Sequence, residues 1–219
     1  MFKEQYFSPQ TIESKALEIY QQLGDYRHKQ SVPYTPSHSA LLVLDMQDYF
    51  LETSSHAYIP SAKAIIPGVK SLIQAYSTRG LRVIFTRHLN TPQDARLMAK
   101  WWHDLITDKD PLSQITTELD TTAAIVLQKS QYDALYKTPL EEILHNWAVT
   151  QVVICGVMTH LCCETTARSA FMRGFEVFFT VDGTATYNEE FHRATLINLS
   201  HGFATLVMIK DLLTSLTPV

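Results

Sequence analysis

Short apolar runs recur along the chain with helical segments between them, and no other feature limits its fold so strongly. Ala40-Leu41-Leu42-Val43-Leu44 is continuous and apolar, as a strand buried on both faces requires. Leu81 to Phe85, Ala123 to Leu127, Gln151 to Cys155, Phe175 to Thr180 and Ala204 to Met208 read as further strands. Ala62 to Arg79 reads as a helix, with Gly80 placed to stop it. Pro139 to Trp147 is helical with Pro in its first turn. Thr165 to Arg173 and Glu189 to His201 are helical, and a last helix begins near Lys210. Strands that alternate with helices are joined by crossovers, so they pair in parallel. The expected fold is therefore three-layer α/β/α, with a six-stranded parallel sheet.

Two segments fall outside the alternation. Residues 1–39 hold a helical stretch near Thr11–Gln22 and a connector through Pro33 and Pro36. They read as an N-terminal extension packed on the domain or on a partner subunit, ahead of one domain over 40–219. Residues 87–122 form a long mixed segment containing Trp101-Trp102-His103, and long insertions after strands in such folds line sites.

A chain of 219 residues can bury a core without disulfide or metal staples. Its 18 basic and 22 acidic side chains leave a net charge of −4, which is no footprint for nucleic acid. No apolar run approaches the ~18 residues of a membrane span. Met1-Phe2-Lys3-Glu4-Gln5 lacks the basic-then-apolar pattern of a signal peptide. Three cysteines, two of them adjacent, make no disulfide framework. The expectation is a cytoplasmic protein with a small-molecule substrate and neither nucleic-acid nor membrane partner.

Asp45, Lys129 and Cys162 each fall just past the carboxyl end of an expected strand, where open α/β sheets bind ligands. Cys162 lies between the strand ending at Cys155 and the helix from Thr165. Free N–H groups and the helix dipole there favour a thiolate. A lysine ammonium nearby would stabilise that thiolate. A carboxylate could take the thiol proton and return it to a leaving amine. Backbone N–H groups around Met158 and Cys162 could hold an oxyanion. Cys155 and Cys163 read as core side chains.

Three blocks carry a family resemblance: Leu44-Asp45-Met46-Gln47-Asp48-Tyr49-Phe50, Lys129 in its setting, and Gly156-Val157-Met158-Thr159-His160-Leu161-Cys162. From about Ala40 to Leu213 the chain resembles the isochorismatase-like cysteine hydrolases. The resemblance implies a Rossmann-like six-stranded fold, homodimers or homotetramers, and an Asp–Lys–Cys triad that hydrolyses C–N bonds through a thioester. It also implies a non-proline cis peptide before the oxyanion hole, here Val157–Met158. Gln47, Phe50, Arg87, His88, Trp101, Tyr132, Thr159 and His160 are the candidates for substrate contact.

The resemblance has two sides. The approach through residues 25–50 and Lys129-Ser130-Gln131-Tyr132-Asp133-Ala134 resemble true isochorismatases, which cleave a vinyl ether and usually carry Gly in place of the cysteine. Cys162-Cys163-Glu164-Thr165-Thr166-Ala167-Arg168 resembles the amidohydrolase branch. Hydrolysis of a small amide or carbamoyl compound is the first expectation, and isochorismate cleavage the alternative. Nicotinamidases of this family bind a metal through Asp-x-His and a further His. Neither Glu52-Thr53-Ser54-Ser55-His56 nor Thr86-Arg87-His88-Leu89-Asn90 supplies that spacing, so neither a metal nor a cofactor is expected.

Overall fold

A computed structural model describes residues 1–27, 32–102 and 104–217. His103, noted above in the Trp-Trp-His run, lies outside the described residues. Six strands form one sheet: β1 (Ser39–Leu44), β2 (Arg82–His88), β3 (Ile125–Lys129), β4 (Gln151–Val157), β5 (Glu176–Ala185) and β6 (Thr205–Val207). The helices are α1 (Ile12–Gln22), α2 (Asp48–Leu51), α3 (Ala62–Thr78), α4 (Met98–Trp101), α5 (Leu140–Asn146), α6 (Glu164–Met172), α7 (Glu189–Gly202) and α8 (Ile209–Leu216).

Every strand pairing is parallel, in the order β3-β2-β1-β4-β5-β6. The chain winds outward from β1 to β3, then returns to place β4 beside β1. The order therefore reverses between β1 and β4, and the crevice at their carboxyl ends is where such a sheet takes ligands. Right-handed crossovers in opposite directions put α3 on one face and α6 and α7 on the other. The central strands are covered on both sides: every residue of β1 and of β4 is buried. α3 turns Ile65, Val69, Leu72 and Tyr76 onto the sheet and ends where Gly80 takes φ +65°.

The strands run further than their apolar runs suggest. β3 was expected over Ala123–Leu127, but it starts at Ile125 and carries Gln128 and Lys129. β2 continues through Arg87 and His88, with His88 opposite Lys129 in register. These polar residues have no intrinsic strand signal; the ladder with a neighbouring strand holds them extended. Lys129 is therefore the last residue of its strand.

Residues 1–23 pack on the domain itself, with Tyr6, Phe7, Ala16, Ile19 and Leu23 in its core. Gly156 is required where β4 passes β1. Its φ is +113°, and a Cβ there would lie 2.1 Å from the Leu44 carbonyl oxygen.

Candidate active site

The three reactive residues come together at the β1/β4 crevice. Asp45 follows β1 with φ 51°, a left-handed conformation that Asp tolerates better than most residues and that turns its carboxylate inward. Thr86 of β2 donates its hydroxyl to Asp45 Oδ1 at 2.6 Å. Oδ2 faces the Lys129 ammonium at 2.7 Å, with both side chains fully buried. The same ammonium lies 3.3 Å from Cys162 Sγ and 3.0 Å from the Gln131 carbonyl oxygen. Cys162 sits in a π-helical turn, Thr159–Cys163, that leads into α6. The wider turn bonds the Cys163 N–H to the Met158 carbonyl, five residues back, at 3.2 Å. The Val157–Met158 peptide bond just before it is cis.

The protonation states follow from burial and mutual charge. Burial alone would raise the Asp45 carboxyl, but the Lys129 charge holds it below its ordinary value. Burial alone would neutralise Lys129, but Asp45 and Cys162 keep its ammonium up at about 12. Burial pushes the Cys162 thiol up to about 12, the Asp45 charge adds to the rise, and Lys129 offsets only part of it. Burial and the Asp45 charge thus oppose the thiolate that the helix terminus favours. The turn around Cys162 is dry and shares its cation with a carboxylate, so at neutral pH the site holds a thiol beside an Asp–Lys ion pair.

His88 completes the cluster. Its Nδ1 lies 3.2 Å from the Lys129 ammonium, and its Nε2 lies 2.9 Å from Asn90 Oδ1. Burial, then the Lys129 charge, drives its pKa down to about 4, so the ring is neutral. A lysine ammonium can only donate, so Nδ1 accepts and Nε2–H donates to Asn90. Asp45, His88 and Cys162 bring three ligand-type atoms within 4.8 Å of one another. Lys129 already contacts all three. Its ammonium supplies the cation that such a cluster attracts, so these residues do not fit a metal ion in addition.

Above Cys162 lies a cavity of about 60 Å³, walled mainly by apolar and aromatic side chains. Among the substrate candidates, Phe50, His88 and Tyr132 line it, as does Met158; the others are placed differently. Gln47 is fully buried and spends its amide on the backbone, donating to the His88 and Ser113 carbonyls and accepting from the His88 N–H. Arg87 turns away, as strand alternation demands of His88's neighbour. It donates to Ser113 and pairs with Asp108 at 3.0 Å. Trp101 is 79% exposed. Trp102 faces the cavity instead and donates to the Tyr132 hydroxyl at 2.8 Å. Thr159 is buried against His192 at 3.2 Å. His160 stacks on Phe191 and bonds the Thr186 hydroxyl. Val157 is packed within β4.

Other wall residues went unpredicted. Asn90 lies two residues beyond His88, so a period of two would have placed it on the same side. His56 and Tyr187 come from loops after α2 and β5, where periodicity carries no signal.

A parallel α/β sheet with a buried cysteine, lysine and carboxylate at its topological switch point defines a hydrolase of the cysteine type. Residues 39–211 match the Isochorismatase domain, and the chain belongs to that family. It is 43% identical over 183 residues to nicotinamidase 3 of Arabidopsis thaliana, which covers 81% of this chain and 88% of that protein. It is 28% identical to enterobactin synthase component B of Escherichia coli K12 over 191 residues, 84% of this chain and 66% of that one. A cysteine hydrolase structure from Pseudomonas syringae pv. phaseolicola superposes with a TM-score of 0.79 at 22% identity, covering 85% of this chain and 95% of the other. The protein is an isochorismatase-family hydrolase.

Proposed function

We propose that this hydrolase cleaves the C–N bond of a small amide, with Cys162 as nucleophile, Asp45 as acid–base and Lys129 as the fixed cation between them. The observation that carries the reading is the Cys162 thiol at the cavity floor, 3.3 Å from an ammonium that is itself 2.7 Å from a buried carboxylate. Asp45 takes the Sγ proton as sulfur attacks the carbonyl carbon. Lys129 stabilises the developing thiolate, and the backbone N–H groups of Met158 and Cys162 are the donors for the oxyanion. Collapse expels the amine, which leaves with the proton held by Asp45. Water, deprotonated by Asp45, then hydrolyses the thioester to the acid and restores the thiol. The apolar, aromatic walls favour a flat or small apolar acyl group. The 43% identity to a nicotinamidase makes nicotinamide the first amide to try. The reading includes a cytoplasmic homodimer or homotetramer, which light-scattering mass measurement checks.

The second reading, isochorismate cleavage, is favoured by the similarity to enterobactin synthase component B. It would use Asp45 as the proton donor and leave Cys162 idle. Ammonia release from a panel of small carboxamides, and pyruvate release from isochorismate, are to be measured with Cys162→Ala beside the wild type. Amide turnover that falls by at least ~10³-fold in the variant supports the first reading. Pyruvate release that survives Cys162→Ala, with no amide turned over, refutes it.

A further inference from the structure

The family match begins at residue 39, yet residues 2–7 touch both sides of the cavity. Lys3 Nζ donates to the carbonyls of His56 at 2.5 Å and Tyr58 at 2.8 Å. The same ammonium lies 4.4 Å over the Tyr187 ring. His56 and Tyr187 both line the cavity, but they lie far apart in sequence, one between α2 and α3 and the other between β5 and α7. The neighbours of Lys3 make the same bridge. The Glu4 N–H donates to the Tyr187 carbonyl at 2.8 Å, and Glu4 Oε1 accepts from the Glu189 N–H at 2.7 Å. Tyr6 accepts from the Thr186 N–H at 3.0 Å, while the Phe7 N–H donates to the Ser61 hydroxyl at 3.0 Å.

We propose that residues 2–7 form a strap that fixes the spacing between two walls of the substrate cavity, with Lys3 as its positioning residue. The ammonium is the only group of the strap that bonds one wall and covers a ring of the other. Its partners are at His56, Tyr58 and Tyr187, outside the strands and the turn that place Asp45, Lys129 and Cys162. Tyr6 and Phe7 pack on His192, which bonds Thr159 of the Cys162 turn, so it is Lys3 that governs how tightly a ligand is held while leaving the reacting groups alone. The two carbonyls freed by removing the ammonium lie near the surface, where water can satisfy them, so the fold loses little. The proposal rests on the cavity being the substrate site, as argued above.

The test compares the full-length wild type with Lys3→Met, which keeps the stem, and Lys3→Arg, which keeps charge and donors. Amide hydrogen exchange is followed in residues 56–58 and 186–189. Inactivation by iodoacetamide, itself a small carboxamide, is followed by mass of the Cys162 peptide across reagent concentration. Lys3→Met is expected to speed exchange in both segments and to raise the half-saturating reagent concentration about fivefold, roughly the restraint of one hydrogen bond. The limiting rate is expected to change by less than about twofold, and Lys3→Arg to recover most of the loss. A purely structural lysine would lower the melting midpoint and leave the half-saturating concentration where it was. Unchanged exchange in either segment, or faster exchange with unchanged half-saturation, overturns the proposal. If wild-type Cys162 resists alkylation altogether, the nucleophile reading fails, and the exchange comparison still decides the strap.

Discussion

Replacing Lys129 with Met removes the one cation of a fully buried cluster and leaves the Asp45 carboxylate stranded. In the wild type Oδ2 faces the ammonium at 2.7 Å, and Oδ1 accepts the Thr86 hydroxyl at 2.6 Å. Without Lys129, burial is opposed only by hydrogen bonds from Thr86 and the Cys162 thiol, so the Asp45 carboxyl rises above its ordinary value and the variant folds with a neutral acid. Breaking a buried pair from one side costs about 3–5 kcal/mol. With an m-value of roughly 2–3 kcal/mol/M in urea for a chain of this size, the unfolding midpoint falls by about 1.5 M. Removing both charges removes the penalty. Asp45→Asn with Lys129→Met should unfold within about 1–2 kcal/mol of the wild type, because Asn also tolerates the left-handed φ of 51° at this position. The pH dependence changes sign as well. In the wild type the depressed Asp45 contributes stability above its unfolded pKa, and this is lost as pH falls through the still lower folded value. In Lys129→Met the carboxyl is raised, so the penalty is greatest above the folded pKa and is relieved on acidification. The assay is urea unfolding of the wild type, both single variants and the double variant, at one protein concentration and two pH values. A Lys129→Met unfolding free energy within about 1 kcal/mol of wild type would refute the reasoning. So would a double variant whose loss is the sum of the two single losses.

Two further outcomes follow from the charge states. His88, His160 and His192 are held neutral, with pKa values driven down to about 4, about 4 and about 3 by burial first. Between pH 7 and pH 5 the unfolded chain binds protons that these rings refuse, so stability falls by about 2 kcal/mol for each, and by less for the partly exposed His160. Asp182, raised to about 6 by burial, returns about 1 kcal/mol over the same range. Chemical unfolding at the two pH values should show a net loss of about 4 kcal/mol; a protein more stable at pH 5 would contradict the assignment. In the free enzyme, Cys162 alkylation should keep rising above pH 9, because its thiol stands at about 12. A labelling midpoint below ~8.5 would show a resting thiolate and invert the proton flow proposed here.

Much of the architecture was legible in the sequence because its causes are local. The run from Ala40 to Leu44 is apolar at every position, which only a strand covered on both faces tolerates, and strand–helix alternation then forces parallel pairing. Asp45, Lys129 and Cys162 could be picked out because each follows such a run. The cavity walls were less legible. His56 and Tyr187 belong to loops, and Trp101 and Trp102 differ only in which way a short helix end turns them. The sequence offered Gln47 and Arg87 as polar groups near a site. Only the folded chain shows that both are consumed by the backbone around Ser113.

By itself, then, the sequence determined the layers, the parallel sheet and the three reactive residue types, since periodicity and strand ends are properties of neighbouring residues. Tertiary structure alone decided the charge state of Cys162. A thiol's pKa depends on how much water surrounds it and on which charges share its pocket, and those charges arrive from β1 and β3, far away along the chain. The same holds for the residues 2–7 that bridge the cavity walls. Their partners at 56–61 and 186–189 meet them only once the sheet has brought both loops to one edge.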